Sequence, residues 1–153
     1  MLKQAKPVFL PNPGEARNQF SAFRCDITLA KAAEVRICMT ARSFYRLYAN
    51  GELIAHGPAR AGHNTLRVDE LTLHAPAGRL CLAVEPAAYS NVVNYSTNIT
   101  QESGLLLAEV WQDDSLLAAT GCTDAAHWLG HKQLPRHEQP CGLSFNLCHP
   151  WLM

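Results

Sequence analysis

The stretch Tyr45-Arg46-Leu47-Tyr48-Ala49-Asn50-Gly51-Glu52-Leu53-Ile54-Ala55 constrains the fold more than any other part of the chain. Its two apolar runs flank Asn-Gly, the pair that best tolerates the positive φ angles of a type I′ turn, which predicts a β-hairpin with a two-residue loop. That loop length sets a register. Leu47 is expected opposite Ile54 and Tyr48 opposite Leu53, giving each face an apolar cross-strand pair. The same period of two recurs upstream. Phe23, Cys25, Ile27 and Leu29 alternate with Arg24, Asp26 and Thr28, and Val35, Ile37, Met39 and Ala41 alternate with Glu34, Arg36 and Thr40. No long segment repeats apolar residues at helical spacing.

Further strands are predicted over Leu66 to Leu73 and Arg79 to Glu85, around the turn Ala75-Pro76-Ala77-Gly78, with Pro86 closing the second. Gly104 to Trp111 and Ser115 to Thr120 read as another hairpin about Gln112-Asp113-Asp114, and a weak strand falls near Leu143 to Leu147. Short strands in this number must pack as two layers, because one sheet would leave an apolar face wet. The expected fold class is all-β, a two-sheet antiparallel β-sandwich of the jelly-roll, galactose-binding-domain-like type. Residues 1–20, with Pro7, Pro11, Pro13 and Gly14, read as an irregular lead-in, 21–130 as the sandwich, and 131–153 as a tail or the start of a linker.

Composition narrows the function. With 153 residues the chain is one domain long, and 13 basic against 13 acidic residues leave no net charge. A nucleic-acid binder would show a basic excess, so no nucleic-acid partner is expected. A 48% hydrophobic content supports a folded core, yet no apolar run approaches a membrane span, so no membrane partner is expected either. Six cysteines could in principle pair, but Met1 to Asn12 lack an apolar export segment. Reduced thiols in a cytoplasmic protein are the expectation.

Candidate chemistry is sparse. Inverting glycosidases need two carboxyl groups about 6.5–9.5 Å apart across the bond, but Asp69 and Glu70 alternate sides of a strand, Asp113 and Asp114 sit in a turn, and Glu85, Glu102 and Glu109 stand apart. His127 and His131 would share a helix face with His137 as a third ligand, but Gly130 makes that helix poor, and His56 and His63 have no partners in sequence. There is no nucleophile elbow and no phosphate loop. No catalytic residue, metal ligand or cofactor is assigned.

An ordered series of motifs carries a family resemblance. Asn18-Gln19-Phe20 leads into Phe23-Arg24; a strand ends at Thr40-Ala41-Arg42. Phe44-Tyr45-Arg46-Leu47-Tyr48-Ala49-Asn50-Gly51-Glu52 is followed by Gly57-Pro58-Ala59-Arg60 and Leu66-Arg67-Val68-Asp69-Glu70-Leu71. Then come Leu82-Ala83-Val84-Glu85, Gly104-Leu105-Leu106-Leu107-Ala108-Glu109-Val110 and Trp128. Over residues 15 to 130 the chain resembles the N-terminal β-sandwich domain of bacterial α-L-rhamnosidases and related glycoside hydrolases. The resemblance implies a domain that precedes a larger (α/α)6 barrel in which the catalytic carboxylates lie, so none is carried over here. The implied partner is a downstream catalytic domain of the same polypeptide, and the tail Cys148-His149-Pro150-Trp151-Leu152-Met153 ends on apolar residues as if the chain continued.

The remaining constellation is the polar connection from Ala87 to Ser103. Its Tyr89, Asn91, Asn94, Tyr95, Asn98 and Gln101 combine aromatic faces for sugar C–H groups with amides that donate and accept. Arg60 and Arg67 match family positions near it and could hold a loop or meet a ligand hydroxyl. Three readings follow: an accessory domain docked on a barrel, a stand-alone carbohydrate-binding module using the 89–101 loop, and a sandwich that pairs through its edge strands without a ligand.

Overall fold

The computed structural model describes residues 2–8, 18–59, 61–62, 65–89, 105–122 and 128–132; of residues 18, 19, 88, 89, 131 and 132 it describes the backbone. Nine β-strands lie among them: β1 (Asn18–Leu29), β2 (Ala33–Ala41), β3 (Phe44–Ala49), β4 (Glu52–Gly57), β5 (Asp69–Ala75), β6 (Gly78–Tyr89), β7 (Leu106–Gln112), β8 (Ser115–Ala119) and β9 (Leu129–Lys132). They form an antiparallel five-stranded sheet, order β4-β3-β6-β1-β9, and an antiparallel four-stranded sheet, order β5-β2-β7-β8. The all-β, two-sheet expectation is met, and the chain changes sheet repeatedly as it proceeds.

The core sits between the sheets and is built by the alternation read in the sequence. Phe23, Cys25, Ile27 and Leu29 of β1 and Leu80, Leu82 and Val84 of β6 face Val35, Ile37, Met39 and Ala41 of β2 and Leu106, Ala108 and Val110 of β7. Ile37, Leu82, Val84 and Val110 have no exposure, and each such side chain contributes about 1.5–3 kcal/mol by leaving water. Burial, then the neighbouring Asp26 carboxylate, pushes the Cys25 thiol up to about 11. Cys25, Cys38 and Cys81 are free thiols, while Cys141 and Cys148 lie outside the described residues.

The hairpin at Asn50-Gly51 forms with both turn residues at positive φ, 50° and 89°. Its register needs one correction. Tyr48 does face Leu53, but Leu47 faces Ala55 rather than Ile54, because a bulge between Leu47 and Tyr48 puts an extra residue on β4. The turn anchors on β6, where Asn50 donates its backbone N–H to the Cys81 carbonyl at 2.8 Å and accepts the Cys81 N–H on Oδ1 at 2.9 Å.

Other boundaries also differ. β5 begins at Asp69, not Leu66. Pro86 does not close its strand: β6 continues to Tyr89, and proline's missing donor is tolerated because the β1–β6 ladder is interrupted there, pairing Phe20 with Ala87 and Phe23 with Val84. The skipped Ser21 and Ala22 pair with β9 on their other side. β9 itself had no periodic signal in sequence. The weak strand expected near 143–147 lies outside the described residues.

Candidate functional site

The strands run between two poles of different character. At one pole sit the turns Asn50-Gly51, Pro76-Ala77 and Asp113-Asp114, with Gly78 at φ 110° and Asp113 at φ 52° absorbing tight bends. At the other, β2 crosses to β3 through Arg42-Ser43, β4 ends at Gly57 and β5 starts at Asp69, and β6 ends at Tyr89 and β7 starts at Leu106. Both long connections, 58–68 and 90–105, therefore leave and re-enter at this second, loop-bearing pole. Arg60, Asn91, Asn94, Tyr95, Asn98 and Gln101 belong to those connections but lie outside the described residues, and Tyr89 is described as the last backbone position of β6, paired with Asn18.

What the structure does describe at this pole is a tie between sheets. Tyr45 points inward from β3 and is 2% exposed, and its hydroxyl donates to Asp69 Oδ2 of β5 at 2.6 Å. Burial and then the Asp69 carboxylate raise the Tyr45 pKa, so the phenol stays protonated and keeps donating. The other carboxylate oxygen, Oδ1, lies 3.9 Å from Arg67 Nε, whose side chain is exposed. Gly57 closes the arrangement: a Cβ there would collide with Asp69 Oδ2 and lie 2.8 Å from the Tyr45 hydroxyl. Asp69 was expected only to alternate with Glu70, which it does, Glu70 turning outward to Arg36 at 3.7 Å. Its role as a tie was missed, because it joins residues of two strands that meet only when the sheets pack.

The outer face of the five-stranded sheet carries a second polar group. The Tyr48 hydroxyl donates to Glu85 Oε2 at 3.1 Å, and Arg46 stands opposite both Glu85 and His56. Phe44, 44% exposed, continues this row toward the loop-bearing pole. Further along the sheet, Asp26 accepts from Arg79 Nε at 3.0 Å and Arg24 Nη2 at 2.8 Å. Desolvation opposes ionisation of Asp26, but these guanidinium bonds outweigh it and hold its carboxyl below the usual range. These carboxylates act as acceptors in fixed pairs, an arrangement suited to holding shape and presenting donors. No group of three or more His, Cys, Asp or Glu side chains that could hold a metal occurs among the described residues, and no helix there is long and apolar enough to cross a membrane.

No protein-family profile and no curated protein sequence matches the chain. Solved structures do. A GH78-family rhamnosidase of Bacillus sp. GL1 superposes with a TM-score of 0.68 at 25% identity, covering 85% of this chain and 13% of that one. An α-L-rhamnosidase from Dictyoglumus thermophilum gives 0.55 at 17%, covering 86% and 16%. A lectin from Pleurotus ostreatus, solved in complex with GalNAc, gives 0.57 at 16%, covering 89% and 37%. This chain thus spans only a small part of the rhamnosidases it matches. In fold, extent and motif order, it resembles the N-terminal β-sandwich domain of bacterial α-L-rhamnosidase-like glycoside hydrolases.

Proposed function

We propose that the chain is a non-catalytic accessory β-sandwich domain of an α-L-rhamnosidase-like glycoside hydrolase, packing on a downstream (α/α)6 barrel and helping to contact carbohydrate. The observation that carries this reading is the superposition on the Bacillus rhamnosidase over 85% of this chain but 13% of that enzyme. Catalysis is then the work of residues elsewhere in the polypeptide. The intact mass of the native gene product tests it: a product several times heavier than 16.9 kDa supports an accessory domain, and one of this mass overturns it.

A second reading, a stand-alone carbohydrate-binding module, is favoured by the gathering of both long connections and Arg67 at one pole. The lectin likeness supplies the fold for such a module. Replacing Asn94 and Tyr95 by Ala should abolish sugar binding with the fold intact, as read by titration against a sugar panel. Unchanged affinity would remove the 89–101 loop from the site.

A further inference from the structure

Residues 2–8, expected as part of an irregular lead-in, are attached to the four-stranded sheet through one carboxylate and through backbone bonds of Lys6 and Val8. Glu109 of β7 has no exposure, and its Oε1 accepts the backbone N–H groups of Lys3 at 2.6 Å, Gln4, and Ala5 at 2.8 Å. Its Oε2 accepts the Trp111 indole N–H at 3.0 Å. Consecutive amides converging on one anion make a backbone nest, here with the anion supplied by the sheet and the nest by the chain's own start. Lys6 N–H then donates to the Thr120 carbonyl at 2.8 Å, and Val8 and Leu106 exchange N–H to carbonyl bonds at 3.1 and 3.0 Å.

The apolar hold of this strap is small. Lys3, Gln4, Lys6 and Pro7 are exposed, Leu2, Ala5 and Val8 half-buried, and of these Val8 packs on the core. Glu109 sits directly opposite Cys38 of β2, which lies on the outer face of the sheet because its neighbours Ile37 and Met39 face the core. Cys38 is nevertheless only 2% exposed, and Thr40, two residues on, is fully buried. An outer face buried in this way needs a cover, and among the described residues the segment bonded there, beside the Trp111 indole, is the strap. We propose that residues 2–8 form a latch, closed by the Glu109 carboxylate, which opens without unfolding the sandwich and uncovers Cys38 and the adjoining outer face of β2 and β7.

Such an opening costs less than global unfolding because it breaks polar bonds and little core packing. Two thiols on neighbouring sheets distinguish the two events: Cys38 reports the latch, and Cys25, in the core, reports unfolding of the sandwich. The test is alkylation of the full-length chain with iodoacetamide under native conditions, reading the peptides that carry each cysteine by mass. In Glu109→Gln the Cys38 rate should rise about tenfold or more, the effect of losing a charge-assisted acceptor. Gln4→Pro removes one amide of the nest and leaves β7 untouched, so it should also speed Cys38. In both variants the Cys38 rate should depend on urea far less steeply than the Cys25 rate, because opening the latch exposes little surface and unfolding the sandwich exposes much. Equal urea slopes for the two cysteines, or unchanged protection of Cys38 in Gln4→Pro, overturns the proposal.

Discussion

The two poles of the sandwich are built from the same strands but held by different means. At the tight-turn pole the bends are set by local backbone conformation, though Asn50 also bonds Cys81 of β6: Asn50-Gly51 supplies two positive φ angles, Gly78 a third, and a Cβ added at either glycine would meet nothing within 4 Å. At the loop-bearing pole the connections are long, and order comes from contacts between residues far apart in sequence. Tyr45 bonds Asp69 across the two sheets, and Gly57 has no room for a methyl group. A tight bend is set by the φ preferences of adjacent residues, whereas a pole that presents long connections is tied together by side chains from several strands.

The comparison can be broken most directly at the glycines. Gly57→Ala should cost about 3 kcal/mol by overpacking against Asp69 and Tyr45, measured as a lower urea midpoint at constant slope. Gly78→Ala has open space around it and should cost only about 1 kcal/mol for its positive φ. Equal losses would erase the distinction between the poles.

Glu109→Gln comes next, at about 2 kcal/mol, since it weakens charge-assisted bonds to the strap that meets β7 near the loop-bearing pole. Its pH dependence sharpens the point. Burial raises the pKa of Glu109, but the amides of Gln4, Ala5 and Lys3 and the Trp111 indole outweigh it, so the carboxyl is held below its ordinary value. A depressed folded pKa means that this stabilisation is complete above the ordinary carboxylate range and is lost as pH falls through the depressed value. Acid titration of Cys38 protection, corrected for thiol reactivity, should show the loss in the parent and not in Glu109→Gln.

Tyr45→Phe should cost about 1 kcal/mol, because Asp69 is left with Arg67 as its remaining charge partner. The smallest effect belongs to an exposed surface pair: Asp26→Asn removes bonds to Arg24 and Arg79 yet should leave the urea midpoint unchanged at neutral pH, as solvent screens these charges. A clear shift there would show that the sheet surface carries stability that the two-pole comparison assigns to the interior.

Much of this molecule is legible from short windows of sequence. Alternation at Phe23 to Leu29 and Val35 to Ala41 identifies the inward faces, and Asn50-Gly51 identifies the hairpin, because side-chain direction in a strand and φ preference in a turn are properties of adjacent residues. The number of short strands points to two packed sheets, because one sheet would leave an apolar face wet. The bulge after Leu47 escaped, since counting outward from a turn assumes a regular ladder. So did the passage of β6 through Pro86, tolerated because the β1–β6 ladder is interrupted at that point.

The candidate site divides the same way. Arg67 was readable as a family position, but its partner Asp69, and the bond from Asp69 to Tyr45, join residues brought together by the packing of two sheets. Glu109 is the sharper case: within its own strand it reads as an isolated acid, and it becomes a buried acceptor only because Lys3, Gln4 and Ala5, more than a hundred positions away, lay their amides across it. The sequence by itself determined which residues face inward and where the chain turns tightly, because those choices rest on local geometry. The tertiary structure alone decided which polar groups are buried and satisfied, because a buried charge is tolerable only where distant donors converge on it.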